Sequence, residues 1–225
     1  MKPLKVLIAC EESQRVCIEF RKLGHEAYSA DIQEPSGGHL EWHILGDVVK
    51  ILNGGTFETM DGIKHTVSKW NLIIAHPPCT HLAVSGARWF KEGRKAIELQ
   101  EKAAEFFMMF INADCEHIAV ENPVCVMSTK YRKPNQIINP YQFGHKEQKK
   151  TCLWLKGLPS LHETKNVYEE MMKLPEKERA KIWWMGSNHS KERSKTYEGI
   201  AQAMAQQWSA YLTGQTDKQL SFFEE

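Results

Sequence analysis

Two short segments of the chain combine residue types that can do covalent chemistry on a ring. In Pro77-Pro78-Cys79, two prolines stiffen the backbone directly before a thiol and fix the direction in which its sulfur points. A thiolate held in this way is a typical nucleophile. In Glu121-Asn122-Pro123, a carboxyl group follows another predicted strand and is able to donate a proton to the ring that the thiolate attacks. The two segments together indicate a nucleophile and an acid at one substrate.

Further acidic residues follow the early predicted strands. Asp31 comes about 20 residues after the turn beyond the first predicted strand, where a ribose-binding acid lies in nucleotide-binding α/β folds. Asp47 is a candidate acceptor for an adenine amino group. From spacing alone, a cap of the following turn explains Asp31 equally well, and Gly46-Asp47 is also ordinary turn sequence. The acids therefore indicate a nucleotide site only in combination with the other strand ends.

Hydrophobic patterns predict the elements that position these residues. Strands are predicted at Leu4–Cys10, His25–Ala30, Trp42–Leu45, Asn71–Ala75 and His117–Val120. Helices are predicted from an N-cap at Ser13 to Leu23, over Arg94–Ala113, and over Thr196–Leu212. Alternating strands and helices indicate a parallel α/β sheet, in which ligands bind at the carboxyl ends of the strands. The polar residues named above lie at those ends.

The pattern changes after residue 130, where short strands and a charged, irregular stretch are predicted. The strands are Ile137–Ile138, Tyr141–Phe143 and Thr151–Leu155, and one helix is predicted at Val167–Lys173. We expect one domain over 1–212, with an irregular insert at 155–194, and a flexible tail at 213–225.

Composition excludes several classes of protein. The 225 residues are 42% hydrophobic, and 29 Lys and Arg balance 28 Asp and Glu, so binding by sheer positive charge is excluded. Six cysteines without a C-x-x-C pair predict free thiols rather than disulfides or a zinc site, and we expect no bound metal. No apolar run reaches the roughly 20 residues that cross a bilayer, and Met1-Lys2-Pro3 shows no signal-peptide pattern. We therefore expect a cytoplasmic protein without membrane contact.

The segment Asn71–Cys79 resembles the motif with which cytosine-5 DNA methyltransferases present their catalytic cysteine, and Glu121-Asn122-Pro123 resembles their Glu-Asn-Val motif. Tyr141–Gly144 and Lys149–Pro159 are similar to segments of short methyltransferase-like proteins of phages and prophages. The resemblance covers Leu4 to about Trp208. It implies a Rossmann-like fold of S-adenosylmethionine-dependent methyltransferases, with a mostly parallel sheet flanked by helices and a very small or absent target-recognition region.

The resemblance also implies roles for individual residues. Cys79 would add to C6 of the pyrimidine, Glu121 would hold and protonate N3, and C5 would take a methyl group from S-adenosylmethionine. The cofactor would lie against Asp31 at its ribose and Asp47 at its adenine, and against Cys10, Glu11, Ser13, Ile32, His76 and Pro77. The substrate would lie against Pro78, Asn122, Pro123, Gln148, Lys149 and Lys150, although a solvated turn is the alternative for the two lysines.

The chain departs from the family pattern in four places. The Gly-rich first loop is Ala9-Cys10-Glu11-Glu12-Ser13, without glycine, so backbone packing against the cofactor must differ. Thr80-His81-Leu82 follows the cysteine instead of Gln-x-Phe-Ser. Thr196–Ala201 replaces an Asn-containing motif. The recognition region has only about 35 residues, 160–194.

Three functions stay open from the sequence. The first is methylation of cytosine C5 in DNA, with Trp183, Trp184 and nearby basic residues as candidate DNA contacts or, equally, as the edge of a core. The second is the same chemistry on a nucleotide, single strand or RNA, and the third is a non-catalytic nucleic-acid-binding protein. Amino-group methyltransferases share a Pro-Pro dipeptide but place an aromatic residue after it, where this chain has Cys79.

The tail ends in Gln219-Leu220-Ser221-Phe222-Phe223, three of which are large and apolar. A polar tail gains nothing from such residues unless they dock on a surface. One hypothesis is that they fold back onto the domain. The other is a short motif, because the pentapeptide resembles the peptide that binds bacterial sliding clamps, with Phe222 replacing a leucine.

Overall fold

The apolar runs of the sequence form the middle of a seven-stranded sheet in the computed structural model, which describes residues 2–185 and 189–214. The strands in chain order are β1 (Lys5–Ala9), β2 (Glu26–Asp31), β3 (His43–Leu45), β4 (Gly55–Glu58), β5 (Lys64–Val67), β6 (Leu72–Ala75), β7 (Ile118–Pro123), β8 (Gln136–Ile138) and β9 (Thr151–Lys156). In space the sheet runs β3-β2-β1-β6-β7-β9-β8, and β4 pairs only with β5.

Only β9 runs against the other strands of the sheet, because it is antiparallel to both β7 and β8. The chain first builds outward from β1 to β2 and β3, and then returns to the other side of β1 to form β6 and β7. The order therefore reverses between β1 and β6. In open α/β sheets, the crevice at the carboxyl ends beside such a reversal is the usual ligand site.

Nine helices lie in the described part of the chain. They are α1 (Arg15–Lys22), α2 (Ala87–Lys91), α3 (Ile97–Ile111), α4 (Met127–Lys130), α5 (Tyr168–Met172), α6 (Glu176–Arg179), α7 (Lys181–Trp184), α8 (Ser190–Ser194) and α9 (Glu198–Thr213). Within residues 2–185 and 189–214, no helix has the length and apolar character needed to cross a membrane.

The sheet is covered on both faces, which explains why its central strands are continuously apolar. Along β1, Val6 and Ile8 pack in the core that contains Phe20 of α1 and Trp208 of α9. The alternate residues of β1, Leu7 and Ala9, belong to the opposite core, which contains two phenylalanines of α3, Phe107 and Phe110. The predicted Rossmann-like fold, a mostly parallel sheet flanked by helices, is confirmed.

Two predictions about local structure were wrong, and one hairpin was missed. The hairpin of β4 and β5 was not predicted, because among its strand residues only Phe57 and Val67 are buried. Tyr141–Phe143 is not a strand: Pro140 begins a 3-10 turn, and Gln142 closes it by accepting a hydrogen bond from the backbone of Asn139 at 2.6 Å. The predicted cap of α1 by Ser13 is also absent, since Gln14 occupies the cap position.

The predicted recognition region contains the short helices α5, α6, α7 and α8. The six cysteines all lie in described residues and are free thiols. The predicted clamp-binding motif, Gln219–Phe223, lies outside the described residues, as does the tail from residue 215 onward.

Candidate active site

The register of two neighbouring strands brings the candidate nucleophile segment beside the candidate acid. In the parallel pair of β6 and β7, Ala75 lies opposite Val120. The next residues along the chain are His76 and Glu121, and their side chains meet, with His76 Nδ1 2.9 Å from Glu121 Oε2. Cys79 follows three residues after His76 at the same edge of the sheet. The order of the strands thus assembles the two motifs that the sequence singled out.

Cys79 stands in a tight turn at the end of β6. Its carbonyl accepts hydrogen bonds from the backbone N–H groups of Leu82 at 3.0 Å and Ala83 at 2.9 Å. The residue is exposed, yet enough protein surrounds the thiol that desolvation, followed by the negative charge of Glu121, raises its pKa. Lys149 and Arg193 act in the opposite direction and favour the thiolate. The turn fixes the position of a reachable sulfur.

Glu121 and His76 form an almost buried pair, with side chains 14% and 9% exposed. Burial alone would raise the pKa of Glu121, but the hydrogen bond and charge of His76, with the charge of Lys149, lower it. Burial would lower the pKa of His76, but the hydrogen bond and charge of Glu121, with the charge of Glu11, raise it. Each group therefore favours the ionised form of the other, the carboxylate of Glu121 and the imidazolium of His76.

The three residues around this pair that were predicted to contact substrate occupy different environments. Asn122 is 1% exposed, and its amide donates a hydrogen bond to the carbonyl of Pro77 at 2.7 Å, which ties β7 to the segment before the thiol. Pro123 pairs with Thr151 of β9. Pro78 is exposed beside Cys79. Pro77, predicted to contact cofactor, is buried and serves the Asn122 contact.

The segment before β9 brings positive charge to the site. The ammonium group of Lys149 donates a hydrogen bond to the carbonyl of Arg193 at 2.9 Å, and its charge acts on both Cys79 and Glu121. Gln148 and Lys150 are exposed, and the backbone N–H of Gln148 donates a hydrogen bond to the carbonyl of Arg179 at 2.6 Å. These bonds attach the predicted recognition region to the edge of the candidate site.

The glycine-free loop after β1 contains two residues with a strained, left-handed backbone conformation. Cys10 and Gln14 have φ values of 59° and 57°, and among the described residues they are the non-glycine residues with positive φ. This left-handed conformation costs a non-glycine residue about 1–2 kcal/mol. Gln14 is held in it by its buried amide, which donates to Ser29 Oγ at 3.1 Å and to the carbonyl of His39 at 2.8 Å. Strain of this kind is typical of functional sites.

Two buried carboxyl groups lie in this loop. Glu11 accepts hydrogen bonds from the backbone N–H groups of Val16 at 2.7 Å and Cys17 at 3.2 Å, and so it caps α1. Burial, opposed by the charge of His76 and these two bonds, raises the pKa of Glu11 to about 7. Glu12 is 6% exposed, and neither of its carboxylate oxygens has a hydrogen-bond partner among the described residues. Ser13 is buried next to them.

The acids after β2 and β3 converge on the start of the same loop. Desolvation, followed by the charges of Asp31 and Asp47, raises the pKa of the Cys10 thiol, so both carboxylates lie near that sulfur. Each carboxylate also shapes its own turn: Asp31 accepts from the backbone N–H of Gln33 at 2.9 Å, and Asp47 accepts from that of Val49 at 3.0 Å. Ile32 is 79% exposed.

Comparison with known proteins gives limited similarity. No protein-family model matches the chain, and no curated protein matches it. Among solved structures, it is similar to the methyltransferase EhMeth of Entamoeba histolytica, with 14% identity and a TM-score of 0.45 over 74% of this chain and 58% of that one. It is also similar to the Dnmt2 methyltransferase of S. pombe, with 13% identity and a TM-score of 0.41 over 79% and 57%.

The chain thus spans less than two thirds of the length of these two structures. The expected closeness to phage and prophage proteins finds no support in the comparisons.

The structure brings the predicted residues into two groups at one edge of the sheet. In the first group, the charges of Glu121 and Lys149 act on the Cys79 thiol, and Asn122 is bonded to the segment before it. The second group is Cys10 at the end of β1, with Asp31 and Asp47 near it. His76 was predicted as a cofactor contact but faces Glu121. The lack of a partner for the Glu12 carboxylate and the strained backbone of Gln14 were not predicted, because nothing in the two residue types signals either feature.

Proposed function

We propose that this protein methylates C5 of cytosine in DNA, with Cys79 as the nucleophile and Glu121 as the group that assists at N3. The observation that carries the proposal is the reachable thiol of Cys79 at the end of β6, held beside the charges of Glu121 and Lys149. Nucleophile and acid on adjacent strand ends are the arrangement that addition to a pyrimidine ring requires. Their sequence motifs also resemble those of cytosine-5 DNA methyltransferases.

In the proposed reaction, the Cys79 thiolate forms a bond to C6 of the pyrimidine, and N3 takes a proton from Glu121. The positive charges of Lys149 and Arg193 favour the thiolate and partly offset desolvation and the charge of Glu121, which on balance raise the pKa of the thiol. Electron density then accumulates at C5, which becomes able to attack an electrophile. Loss of the C5 proton and breaking of the C6–S bond return the thiolate. A cytosine in duplex DNA must first be flipped out of the stack, which costs a few kcal/mol.

The loop after β1 and the acids beyond it fit S-adenosylmethionine, which supplies an electrophilic methyl group when bound. A buried carboxylate without a partner is expensive, so Glu12 fits a cation such as the ammonium of the methionine moiety. Asp31 and Asp47, both near Cys10, fit the ribose hydroxyls and the adenine amino group. Glu11 caps α1, and its two hydrogen bonds to the backbone of that helix attach the loop to the helix.

Methyl transfer is tested by incubating the protein with labelled S-adenosylmethionine and mixed DNA, followed by mass spectrometry of the nucleosides. We expect 5-methylcytosine from the wild-type protein and none from Cys79→Ser, with cofactor binding nearly unchanged in the variant. Cys115→Ser is the matched control, since this buried free thiol precedes β7 and so lies at the opposite end of that strand from Glu121. DNA carrying 5-fluorocytosine should trap a covalent adduct with the wild-type protein only. Full activity of Cys79→Ser would refute the proposal.

A second substrate class is favoured by two exposed tryptophans. Trp183 and Trp184 on α7 are 75% and 56% exposed, and the recognition region that contains them is bonded to Gln148 and Lys149 at the site. Aromatic side chains of this kind stack on unpaired bases, at about 1–3 kcal/mol per base. Single-stranded DNA or RNA is therefore the alternative substrate. Rates on duplex DNA, single-stranded DNA, RNA and dCMP, compared in one assay, distinguish the classes.

The tail motif Gln219–Phe223 supports a further proposal, a tether to the bacterial sliding clamp that raises the local concentration of enzyme on DNA. A pull-down with purified clamp tests it by comparing the intact protein with the Leu220→Ala/Phe223→Ala double variant. We expect binding of the intact protein only, and equal or absent binding of both would exclude the tether.

A further inference from the structure

The ionic state of Glu121 raises a question that the proposed function leaves open. The group that assists at N3 must have a proton to give, yet the hydrogen bond and charge of His76 hold Glu121 as a carboxylate. The nearest proton lies on the other member of the pair, on Nδ1 of His76, 2.9 Å from Oε2. The pair therefore carries one dissociable proton, but this proton lies on His76 and not on Glu121, the group proposed to contact N3.

The charges around His76 favour this storage. Glu121 faces it from β7, and Glu11 faces it from the loop after β1, and both carboxyl groups favour the imidazolium. Lys149, from the segment before β9, opposes them. Burial and the charge of Lys149 lower the pKa of His76, the hydrogen bond and charge of Glu121 with the charge of Glu11 raise it, and on balance it is raised.

The second nitrogen of the ring argues against a purely structural histidine. His76 Nε2 is buried and has no hydrogen-bond partner among the described residues. Buried polar groups that serve only the fold are nearly always paired, and an unpaired one calls for an explanation. The hydrogen bond that one ring nitrogen makes sets the protonation of the other, so an Nε2 without a fixed partner leaves the ring able to keep its remaining proton there after Nδ1 has given up its own.

We propose that His76 stores the proton that Glu121 delivers to N3 of the base, an inference that rests on the proposed function. In the first step the Nδ1–H bond breaks and an O–H bond forms on Glu121, leaving a neutral imidazole and a carboxylic acid. In the second step this O–H bond breaks and N3–H forms, while the sulfur electron pair of Cys79 forms the C6–S bond. When N3 releases the proton at the end of the reaction, it returns to the pair. His76 is thus a positioning residue that acts through Glu121.

The pairing itself is tested without turnover, by following the imidazole of His76 with ¹⁵N NMR as the pH is raised. In the wild-type protein we expect His76 to titrate above its ordinary pKa of 6.5, with protons on both ring nitrogens below its own pKa. In Glu121→Gln the titration should move down to 6.5 or below, because burial is then opposed only by Glu11. Titration of wild-type His76 at or below 6.5, or no change in Glu121→Gln, would overturn the proposal.

The role is tested by the pH dependence of methyl transfer in two variants of matched shape. His76→Asn keeps an N–H donor where Nδ1 lies but stores no proton, and His76→Leu has the same branched shape without a donor. In His76→Asn, Glu121 must hold the proton alone, so the alkaline limb of kcat should move to lower pH. We expect kcat at pH 7.5 to fall by roughly 10²–10⁴-fold and to recover partly on acidification, with KM for DNA nearly unchanged.

His76→Leu should lose more activity than His76→Asn, because the carboxylate is also released from its fixed orientation. His162→Asn, an exposed histidine away from the site, is the control and should keep the wild-type profile. A wild-type alkaline limb in His76→Asn would overturn the proton storage. Absence of methyl transfer by the wild-type protein would instead refute the proposed function, and the NMR titration would still decide whether the pair exists.

Discussion

At the carboxyl ends of β6 and β7, each buried polar side chain makes at least one hydrogen bond, although His76 Nε2 and Asn122 Oδ1 have no partner among the described residues, whereas the loop after β1 holds a buried carboxylate with no partner at all there. Glu121 is bonded to His76, and Asn122 is bonded to the backbone of Pro77. Glu12 has no bond to either oxygen among the described residues, and Cys10 and Gln14 beside it are strained.

The difference indicates that the two halves are organised to different degrees before a ligand binds. We name the half around Cys79 the substrate half and the half around Cys10 the cofactor half, after the proposed function. The substrate half is organised before anything binds, since its charges compensate one another. The cofactor half carries strain and an uncompensated charge, which a bound cation would relieve. Binding and chemistry thus place different demands on the two halves, and each demand can be tested separately.

The largest effect is expected from Glu121→Gln, which keeps the size of the side chain but removes its acid–base chemistry. We expect kcat for methyl transfer to fall by roughly 10²–10⁴-fold, while binding of S-adenosylmethionine, measured by calorimetry, stays unchanged. Glu116→Gln, an exposed position before β7, is the control. Loss of cofactor binding in Glu121→Gln would show that the two halves are not independent.

The second prediction concerns the pH dependence of stability through Glu11. Its folded pKa of about 7 lies above the ordinary value of 4.5, so between these values the folded protein keeps a proton that the unfolded chain releases. Stability from this group is complete below about pH 4.5 and is lost as the pH rises towards 7, by roughly 3 kcal/mol at 1.36 kcal/mol per pKa unit. Urea unfolding of Glu11→Gln should show a flatter pH dependence than wild type over this range. Identical slopes would contradict the prediction.

A smaller and opposite pair of effects is expected from Glu12→Gln. Without cofactor, removing a buried and unpartnered charge should raise the free energy of unfolding by about 1–3 kcal/mol. With cofactor, loss of a charge-assisted hydrogen bond should weaken S-adenosylmethionine binding by about 10–100-fold. Glu34→Gln, an exposed acid in the following loop, should change neither quantity. Unchanged affinity would separate Glu12 from the cofactor.

The smallest effect is expected at Cys10, where the left-handed backbone favours glycine. Cys10→Gly should stabilise the protein by up to about 1 kcal/mol, since relief of strain exceeds the extra entropy of the unfolded chain. Gln14→Gly relieves the same strain but loses the amide bonds to Ser29 and His39, so it should destabilise. Thermal unfolding of both variants tests whether the loop is held by side chains or by backbone preference.

The sequence predicted the strands that are apolar throughout, such as β1 and β6, because burial on both faces leaves one solution for such a run. It failed where local chemistry or weak burial decides. Pro140 and Gln142 override the strand preference of tyrosine and phenylalanine, and the hairpin of β4 and β5 buries only two side chains.

In the site, the types of Cys79 and Glu121 were sufficient to single them out. The partner of Glu121 was not predictable, because it depends on which strands are neighbours and on their register. Once Ala75 is known to lie opposite Val120, the meeting of His76 and Glu121 follows directly.

The reversed direction of β9 has a consequence for how the site tolerates change. An antiparallel strand presents its amino end where the parallel strands present their carboxyl ends, so Lys149 reaches the thiol from a segment that enters the sheet. Pairing of Thr151 with Pro123 anchors that segment two residues after the lysine. Because this pairing fixes the position of Lys149 relative to β7, we expect insertions or deletions in the turn before Lys149 to leave the distance between its ammonium group and the Cys79 thiol unchanged.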